Sequence, residues 1–300
     1  MSSSQDRTAG GPPGGQGGGQ GVDGEVRSGL RPEFVDTAGD SIARETAARD
    51  WRIGLSAAGL VVFMWCVYSL VPYDGAVSRW AVGLREDHLG GDVVRELEAL
   101  QQYGQGSVTF LVAWAIWLAQ PKLRRRLLDW LLAIGLAALV GYPAKMLIGR
   151  PRPKFDDPEY FLGPFGVYPV SEEVGLRHAW ETGSGISSDL WSMPSSHTLF
   201  AVVMSSMLWV WYPRLRPVAV VMAVVVGVSR VLFGAHYPTD VLVGGALGAA
   251  IAVPVARGHL GVRLLDWVWG RFVDRGAVPA LPGLVAVEDR RRFRELAGRD

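Results

Sequence analysis

The stretch LLDWLLAIGLAALVGYPAKMLI, Leu127–Ile148, carries only two charged residues, Asp129 and Lys145. A helix of about 20 apolar residues crosses the roughly 30 Å hydrocarbon core of a bilayer. The sequence therefore predicts an all-α fold, a polytopic membrane bundle of about six transmembrane helices, in which the block at 107–119 is the shortest span. The other apolar blocks are Ile53–Val71, Ser107–Ala119, Thr198–Tyr212, Val218–Phe233 and Val241–Val255.

The placement of charge predicts the orientation of this bundle. Apolar residues make up 49% of the chain, and the formal net charge is only +1. Basic residues cluster after alternate blocks, and such clusters favour the cytoplasmic side. Both termini are therefore expected in the cytoplasm, and the abundance of arginine points to a bacterial cell membrane. The clusters are Lys122 with Arg124, Arg125 and Arg126, Arg214 with Arg216, and Arg257 with Arg263.

The single cysteine and the amino terminus add two further expectations. Cys66 lies inside the first block and has no possible partner within the chain, which excludes an internal disulfide. The amino terminus lacks the charged and then apolar pattern of a signal peptide, so the first block is expected to be an uncleaved anchor.

The apolar blocks divide the chain into three parts. Residues 1–50 begin with a Gly-, Ser-, Pro- and Gln-rich tract and are predicted to be a disordered cytoplasmic tail. Residues 51–257 form the membrane domain, with a helix along the outer surface between Tyr73 and Gln105. Its long outer loop, 154–193, is interpreted either as a lid over a lipid headgroup or as a solvated loop. Residues 258–300 are predicted to be a cytoplasmic amphipathic helix with a charged tail.

The third apolar block ends in the first of three chemical motifs. Lys145 is followed by Arg152 within two consecutive Arg-Pro pairs, Arg150-Pro151 and Arg152-Pro153. A residue before proline is pushed out of the helical region, so this exit is extended and can fix guanidinium groups toward an anion. The alternative is that Lys145 simply extends its ammonium to the headgroups.

The second motif, Pro194-Ser-Ser-His197, opens the fourth block. The first amides of a helix have no partner inside it, and together with the helix dipole they bind anions. Ser195 could instead be a simple helix cap, and His197 a packed histidine. An imidazole titrates near neutral pH, which also suits His197 to general acid catalysis.

The third motif combines an intramembrane cation with a histidine and a carboxylate. Arg230 lies within an apolar run, where an arginine is costly unless it meets an anion or a polar cavity. His236 and Asp240 flank Pro238, so the imidazole lies at the mouth of the next helix and the carboxylate in its first turn. Asp240 can accept a hydrogen bond from one imidazole nitrogen and leave the other free as a nucleophile. Alternatively, Asp240 only stabilises the helix dipole.

Taken together, K-x6-R-P, P-S-x-H and S-R-x5-H-x3-D resemble the type 2 phosphatidic acid phosphatase superfamily over roughly Trp51–Arg257. The resemblance implies that His236 forms a phosphohistidine, that Asp240 orients it and that His197 protonates the leaving oxygen. The family commonly has glycine where this chain has Ser196, whose side chain could crowd the phosphate or add a donor. The implied phosphate-binding groups are Lys145, Arg152, Arg230, Ser195 and the backbone amide of Ser196.

The sequence therefore predicts a metal-independent lipid phosphatase that acts on a lipid phosphate or diphosphate on the extracytoplasmic face. Substrates of this kind include polyprenyl diphosphate, phosphatidate and phosphatidylglycerophosphate. A phosphotransferase that uses an alcohol acceptor remains an alternative, as does a lipid-phosphate carrier. No metal or other cofactor is expected, and neither is nucleic-acid binding, because the exposed cations are few and scattered.

Overall fold

The computed structural model describes residues 58–171, 175–181 and 187–297, the last seven of these by their backbone alone. The predicted tail at 1–50 lies outside the described residues. The chain divides into two units between Leu60 and Val61, and the fold given below is that of the second unit. Its helices are α1 (58–70, of which 61–70 belong to this unit), α2 (Asp74–His88), α3 (Gly91–Leu100), α4 (Gly106–Ala119), α5 (Arg126–Ile148), α6 (Ser196–Trp211), α7 (Arg216–Leu232), α8 (Pro238–Gly258), α9 (Leu260–Phe272) and α10 (Ala280–Ala297).

The all-α membrane bundle is confirmed. Among the described residues four helical stretches are long and apolar enough to cross a membrane: Ala58–His88, Arg126–Phe155, Pro213–Leu232 and Pro238–Gly258. The helices α4 and α6 are apolar but shorter, with 14 and 16 residues. Length and composition therefore assign four spans within the described ranges, where the sequence predicted about six.

The centre of the bundle is the contact between α6 and α8. A side chain at Gly244 would bring its Cβ within 2.6 Å of the Ser195 carbonyl oxygen, and one at Gly248 within 2.6 Å of the Leu199 carbonyl oxygen. Glycine at these two positions lets the two backbones approach closely. The amino-terminal ends of α6 and α8 are thereby held side by side, which places the second and third motifs next to each other.

At the opposite end of the bundle, the turns from α4 to α5 and from α6 to α7 have the same construction. Each has the sequence W-x-x-x-P-[KR]-L-R, and each forms a 3-10 turn at its proline. Arg124 donates from Nε to the Trp117 carbonyl oxygen at 2.8 Å and lies 4.2 Å from the centre of that indole ring. Arg216 does the same to Trp209, at 3.2 Å and 5.2 Å. These two turns are called the Trp–Arg turns below.

A buried ion cluster ties α10 to the start of α5 and to the junction of α8 and α9. Arg126 Nε donates to Glu288 Oε1 at 2.5 Å, and His259 lies between two carboxylates. His259 Nδ1 is 3.1 Å from Asp129 Oδ2, and its Nε2 is 3.4 Å from Glu288 Oε2. Because all four side chains are largely buried, their charges are balanced within the cluster.

The loop at 154–193 contains a short antiparallel pair of strands, β1 (Tyr168–Ser171) and β2 (Gly175–Arg177). Leu162, Ala179 and Leu190 form a small apolar cluster beneath the strands. The described part of the loop is thus packed against itself, and its last residues return to the mouth of α6.

Candidate active site

The three sequence motifs meet at one end of the bundle. The Ser195 amide donates to the Asp240 carbonyl oxygen at 3.0 Å, which joins the second motif to the third. Arg150 Nη1 donates to Asp240 Oδ1 at 2.6 Å, which joins the first motif to the third. The predicted convergence of the motifs is therefore present in the structure.

His236 is buried, with 2% of its surface exposed, and immediately precedes the turn into α8. Its Nδ1 lies 2.7 Å from the Ser192 carbonyl oxygen. A carbonyl oxygen can only accept a hydrogen bond, so Nδ1 carries the proton and Nε2 keeps a free lone pair. Burial, and then the charges of Lys145, Arg152 and Arg230, which are called the three motif cations below, lower the pKa of His236 well below 6.5, although its hydrogen bond to Ser192 raises it. The imidazole is therefore neutral and nucleophilic at neutral pH.

Asp240 occupies the first turn of α8 as predicted, but the expected direct hydrogen bond to His236 is not formed. Its Oδ2 lies 3.9 Å from His236 Nδ1, beyond hydrogen-bonding distance. The same oxygen accepts from the Ser192 hydroxyl at 2.5 Å and from the Tyr237 amide at 2.8 Å. The carboxylate of Asp240 therefore binds these two donors and Arg150. The Ser192 carbonyl oxygen, and not this carboxylate, accepts the hydrogen bond from His236 Nδ1.

Backbone carbonyls at the end of the loop hold two of the three motif cations. Lys145 Nζ donates to the Trp191 carbonyl oxygen at 2.7 Å, and Arg152 Nε donates to the Ser188 carbonyl oxygen at 2.6 Å. With the Ser192 carbonyl on His236, the segment 188–192 contacts three of the predicted site residues. This segment is called the carbonyl wall below.

Arg230, in the last turn of α7, donates from Nη1 to Gln101 Oε1 at 2.7 Å. Its Nε is buried and has no hydrogen-bond partner within the described ranges. Buried donors are nearly always paired, so this unpaired guanidinium N–H is a candidate donor to an oxygen of a ligand.

His197 lies one residue inside α6 and is half-buried. Its Nε2 is 3.3 Å from Gln105 Nε2, so Gln105 marks the side of the site formed by the start of α4. The charges of Arg230, Arg152 and Lys145 act on His197 as they do on His236. Both imidazoles therefore share one group of cations, as the sequence predicted.

The two serines of the second motif differ in their surroundings. Ser195 is fully buried, and its hydroxyl accepts a hydrogen bond from Thr198 Oγ1 at 3.1 Å instead of capping α6. Ser196 is half-buried at the first position of α6 and borders a narrow space that also touches Lys145. The predicted helix-cap alternative for Ser195 is therefore wrong.

Several residues of the site were not predicted from the sequence. Arg150 was expected to direct its guanidinium toward an anion from the extended exit, whereas it is fully buried and paired with Asp240. The contributions of the carbonyl wall could not have been found, because every residue type offers a carbonyl. The side chains that were missed are those of Asp74, Gln101, Gln105, Ser192 and Thr239.

Fold and site together define a helical membrane protein in which two histidines and the cations Lys145, Arg152 and Arg230 lie at one end of the bundle. Residues 126–262 match the family model of the PAP2 superfamily, which confirms the resemblance for this segment.

Two curated relatives cover a similar part of the chain. The lipid A 1-phosphatase of Rhizobium johnstonii is 29% identical over 136 residues, which cover 44% of this chain and 49% of the relative. The lipid A 1-phosphatase of Rhizobium etli is 27% identical over 135 residues, covering 43% and 51%. The chain thus spans about half the length of the curated relatives it matches.

Two solved structures are also similar. A transmembrane PAP2-type phosphatidylglycerolphosphate phosphatase from Bacillus subtilis matches with a TM-score of 0.47 and 23% identity, covering 71% of this chain and 96% of that one. Aquifex aeolicus LpxE matches with a TM-score of 0.42 and 18% identity, covering 59% and 92%.

Proposed function

We propose that this protein is an integral-membrane, metal-independent lipid phosphatase that works through a phosphohistidine on the extracytoplasmic face. The observation that carries the proposal is His236, a buried neutral imidazole with Nδ1 bound to a carbonyl and Nε2 free, among Lys145, Arg152 and Arg230. A nucleophile of this kind needs a fixed tautomer and an electrophile with its negative charge neutralised. The site supplies both.

In the first half-reaction Nε2 of His236 attacks the phosphorus, and the bond from phosphorus to the lipid oxygen breaks. His197 donates a proton to the leaving oxygen. In the second half-reaction water attacks the phosphohistidine, His197 takes the proton from that water, and inorganic phosphate leaves. Asp240 acts as the orienting carboxylate of His236.

The cations provide the stabilisation that phosphoryl transfer requires. Charge builds on the equatorial oxygens in the transition state, and preorganised positive groups there account for most of the catalysis. Lys145, Arg152 and Arg230 are assigned to these oxygens, together with Ser195 and the amide of Ser196. Such a group of fixed cations repels a divalent metal ion and supplies the same neutralisation, which supports metal independence.

An apolar groove between α4 and α5 supports a lipid substrate. Its volume is about 540 Å³, and it is bordered by Trp114 and Trp130. Tyr142 and Phe200, which also border it, line the narrow space that reaches Lys145 and Ser196. A lipid whose hydrocarbon chain occupies this groove would have its phosphate group near Lys145 and Ser196.

The test is release of inorganic phosphate from lipids by the purified protein in detergent or vesicles. The panel contains lipid A, the substrate in the names of the two Rhizobium relatives, with polyprenyl diphosphate, phosphatidate and phosphatidylglycerophosphate. We expect at least one lipid to be cleaved, with no loss of rate in a chelator. We expect His236→Ala to lower the rate by about 10³-fold or more, because the change removes the proposed nucleophile.

The matched control is His88→Ala, since His88 is exposed at the end of α2 and is not one of the proposed site residues. It should keep the wild-type rate. Full activity of His236→Ala would contradict the proposal. Binding of lipid without turnover by the wild type would favour a carrier, and a new phosphodiester formed from an added alcohol would favour a phosphotransferase.

A further inference from the structure

Arg150 is the most completely buried cation among the described residues, with 0% of its surface exposed. Its Nη1 donates to Thr239 Oγ1 at 2.8 Å and to Asp240 Oδ1 at 2.6 Å. Its Nη2 donates to Asp74 Oδ2 at 2.7 Å, and its Nε to the Pro158 carbonyl oxygen at 3.0 Å. Protein acceptors thus engage all three guanidinium nitrogens, so Arg150 is not available to bind a phosphate.

The contacts of Arg150 join α2 to the start of α8. Asp74 is the first residue of α2, is itself buried, and accepts a second hydrogen bond from the Thr239 amide at 3.1 Å. Arginine presents its donors in a planar fork, which lets one side chain hold two carboxylates at a fixed separation. The position of Asp240 is therefore set by Arg150 and by Asp74 behind it.

From Asp240 the connection to His236 runs through Ser192. The carboxylate accepts the Ser192 hydroxyl at 2.5 Å, and the carbonyl oxygen of the same residue lies 2.7 Å from His236 Nδ1. The direct separation of 3.9 Å leaves no hydrogen bond between the carboxylate and the ring. Ser192 has no exposed surface, so water does not replace either contact.

We propose that Ser192 and Arg150 are positioning residues, and that Asp240 orients His236 through Ser192 rather than by direct contact. This inference rests on the proposed phosphatase function. Arg150 fixes the carboxylate, the carboxylate fixes the Ser192 hydroxyl, and the Ser192 carbonyl holds the proton on Nδ1. Loss of any of these contacts lets the imidazole ring rotate or carry its proton on Nε2. A protonated Nε2 has no lone pair with which to attack phosphorus.

The first test is a double-mutant cycle of Ser192→Ala and Asp240→Asn. Each variant is expected to lower kcat by roughly 10- to 100-fold, the usual effect of losing a partner behind a reactive group. The inhibition constant of inorganic phosphate should stay within about 3-fold of wild type, because the cations are untouched. If the carboxylate acts through the hydroxyl, the double variant is no slower than Asp240→Asn alone.

A wild-type kcat in Ser192→Ala would overturn the inference. So would a double variant whose loss of kcat equals the product of the losses in the two single variants. A direct contact between carboxylate and ring predicts the second result. The inhibition constant also reports folding, since a disrupted variant no longer binds phosphate.

The second test changes Arg150 and does not depend on Ser192→Ala folding. Arg150→Lys keeps the charge but cannot hold Asp74 and Asp240 together, so kcat should fall while phosphate inhibition persists. The matched control is Arg79→Gln, because Arg79 lies on α2, as does Asp74, but forms an exposed pair with Asp156. A folded Arg150→Lys variant with the kcat of Arg79→Gln would overturn the role of Arg150.

These results are distinguishable from failure of the proposed function. An inactive wild type, or an active His236→Ala variant, contradicts the phosphatase proposal itself. An active wild type with an inactive His236→Ala variant supports it, whatever Ser192→Ala and Arg150→Lys show.

Discussion

At the scale of single residues, the buried cluster around His259 makes stability depend on pH at the end of the bundle remote from the site. Hydrogen bonds to Asp129 and then Glu288 raise the pKa of His259 to about 9. Burial alone would raise the pKa of Glu288, but hydrogen bonds from His259 and Arg126 outweigh it and lower the pKa to about 2. Both side chains are therefore charged across the physiological range.

The signs of these two pKa shifts define a window of pH. A raised histidine pKa stabilises the fold fully below its unfolded value of 6.5, and this contribution is lost as pH rises through about 9. A lowered glutamate pKa stabilises the fold above its unfolded value of 4.5, and this is lost as pH falls through about 2. Between pH 4.5 and 6.5 both contributions are complete.

We therefore predict that the melting temperature of the detergent-solubilised protein falls between pH 7 and pH 10. His259→Gln should abolish most of this fall, because it removes a contribution on the order of 2–3 kcal/mol. The measurement is thermal unfolding of both proteins across this range, with the exposed His88→Gln as control. Parallel profiles for wild type and His259→Gln would show that the cluster is not the titrating contact.

At the scale of elements, the approach of α8 to α6 controls the site. We predict that Gly244→Ala destabilises the protein by about 1–3 kcal/mol and lowers kcat, because the added Cβ displaces the Ser195 carbonyl at the mouth of α6. The neighbouring Gly245→Ala is the control, since its Cβ would make ordinary contacts at 3.7 and 3.8 Å. Thermal unfolding and phosphate release measure both effects. Equal results for the two variants would contradict this account.

The boundaries of the elements were largely predictable. The third block was expected to be Leu127–Ile148, and α5 is Arg126–Ile148, because apolar composition alone defines a membrane helix. The carbonyl wall was not predictable, because it acts through backbone carbonyl oxygens, which every residue type has. The pairing of Asp74 with Arg150 was also missed, because it joins residues 76 positions apart through the packing of α2.

At the scale of the whole molecule, we predict that the site faces outward and that the Trp–Arg turns face the cytoplasm. Cys66→Ala removes the only cysteine and gives a background for single substitutions. In intact cells a membrane-impermeant maleimide should label Glu159→Cys, in the loop after the first motif. It should label Lys122→Cys, in the first Trp–Arg turn, only after permeabilisation. The reverse pattern would place the site in the cytoplasm.

We expect the repeated construction of the Trp–Arg turns to set the depth at which the molecule lies in the bilayer. Indole rings and arginine side chains both favour the boundary between hydrocarbon and water. One such pair lies in the turn of the α4–α5 hairpin and the other in the turn of the α6–α7 hairpin. Together they oppose movement of either hairpin along the membrane normal. With that end anchored, we expect a thicker or thinner bilayer to change the burial of the opposite end, and with it the access of the proposed lipid phosphate to Lys145, Arg152 and Arg230.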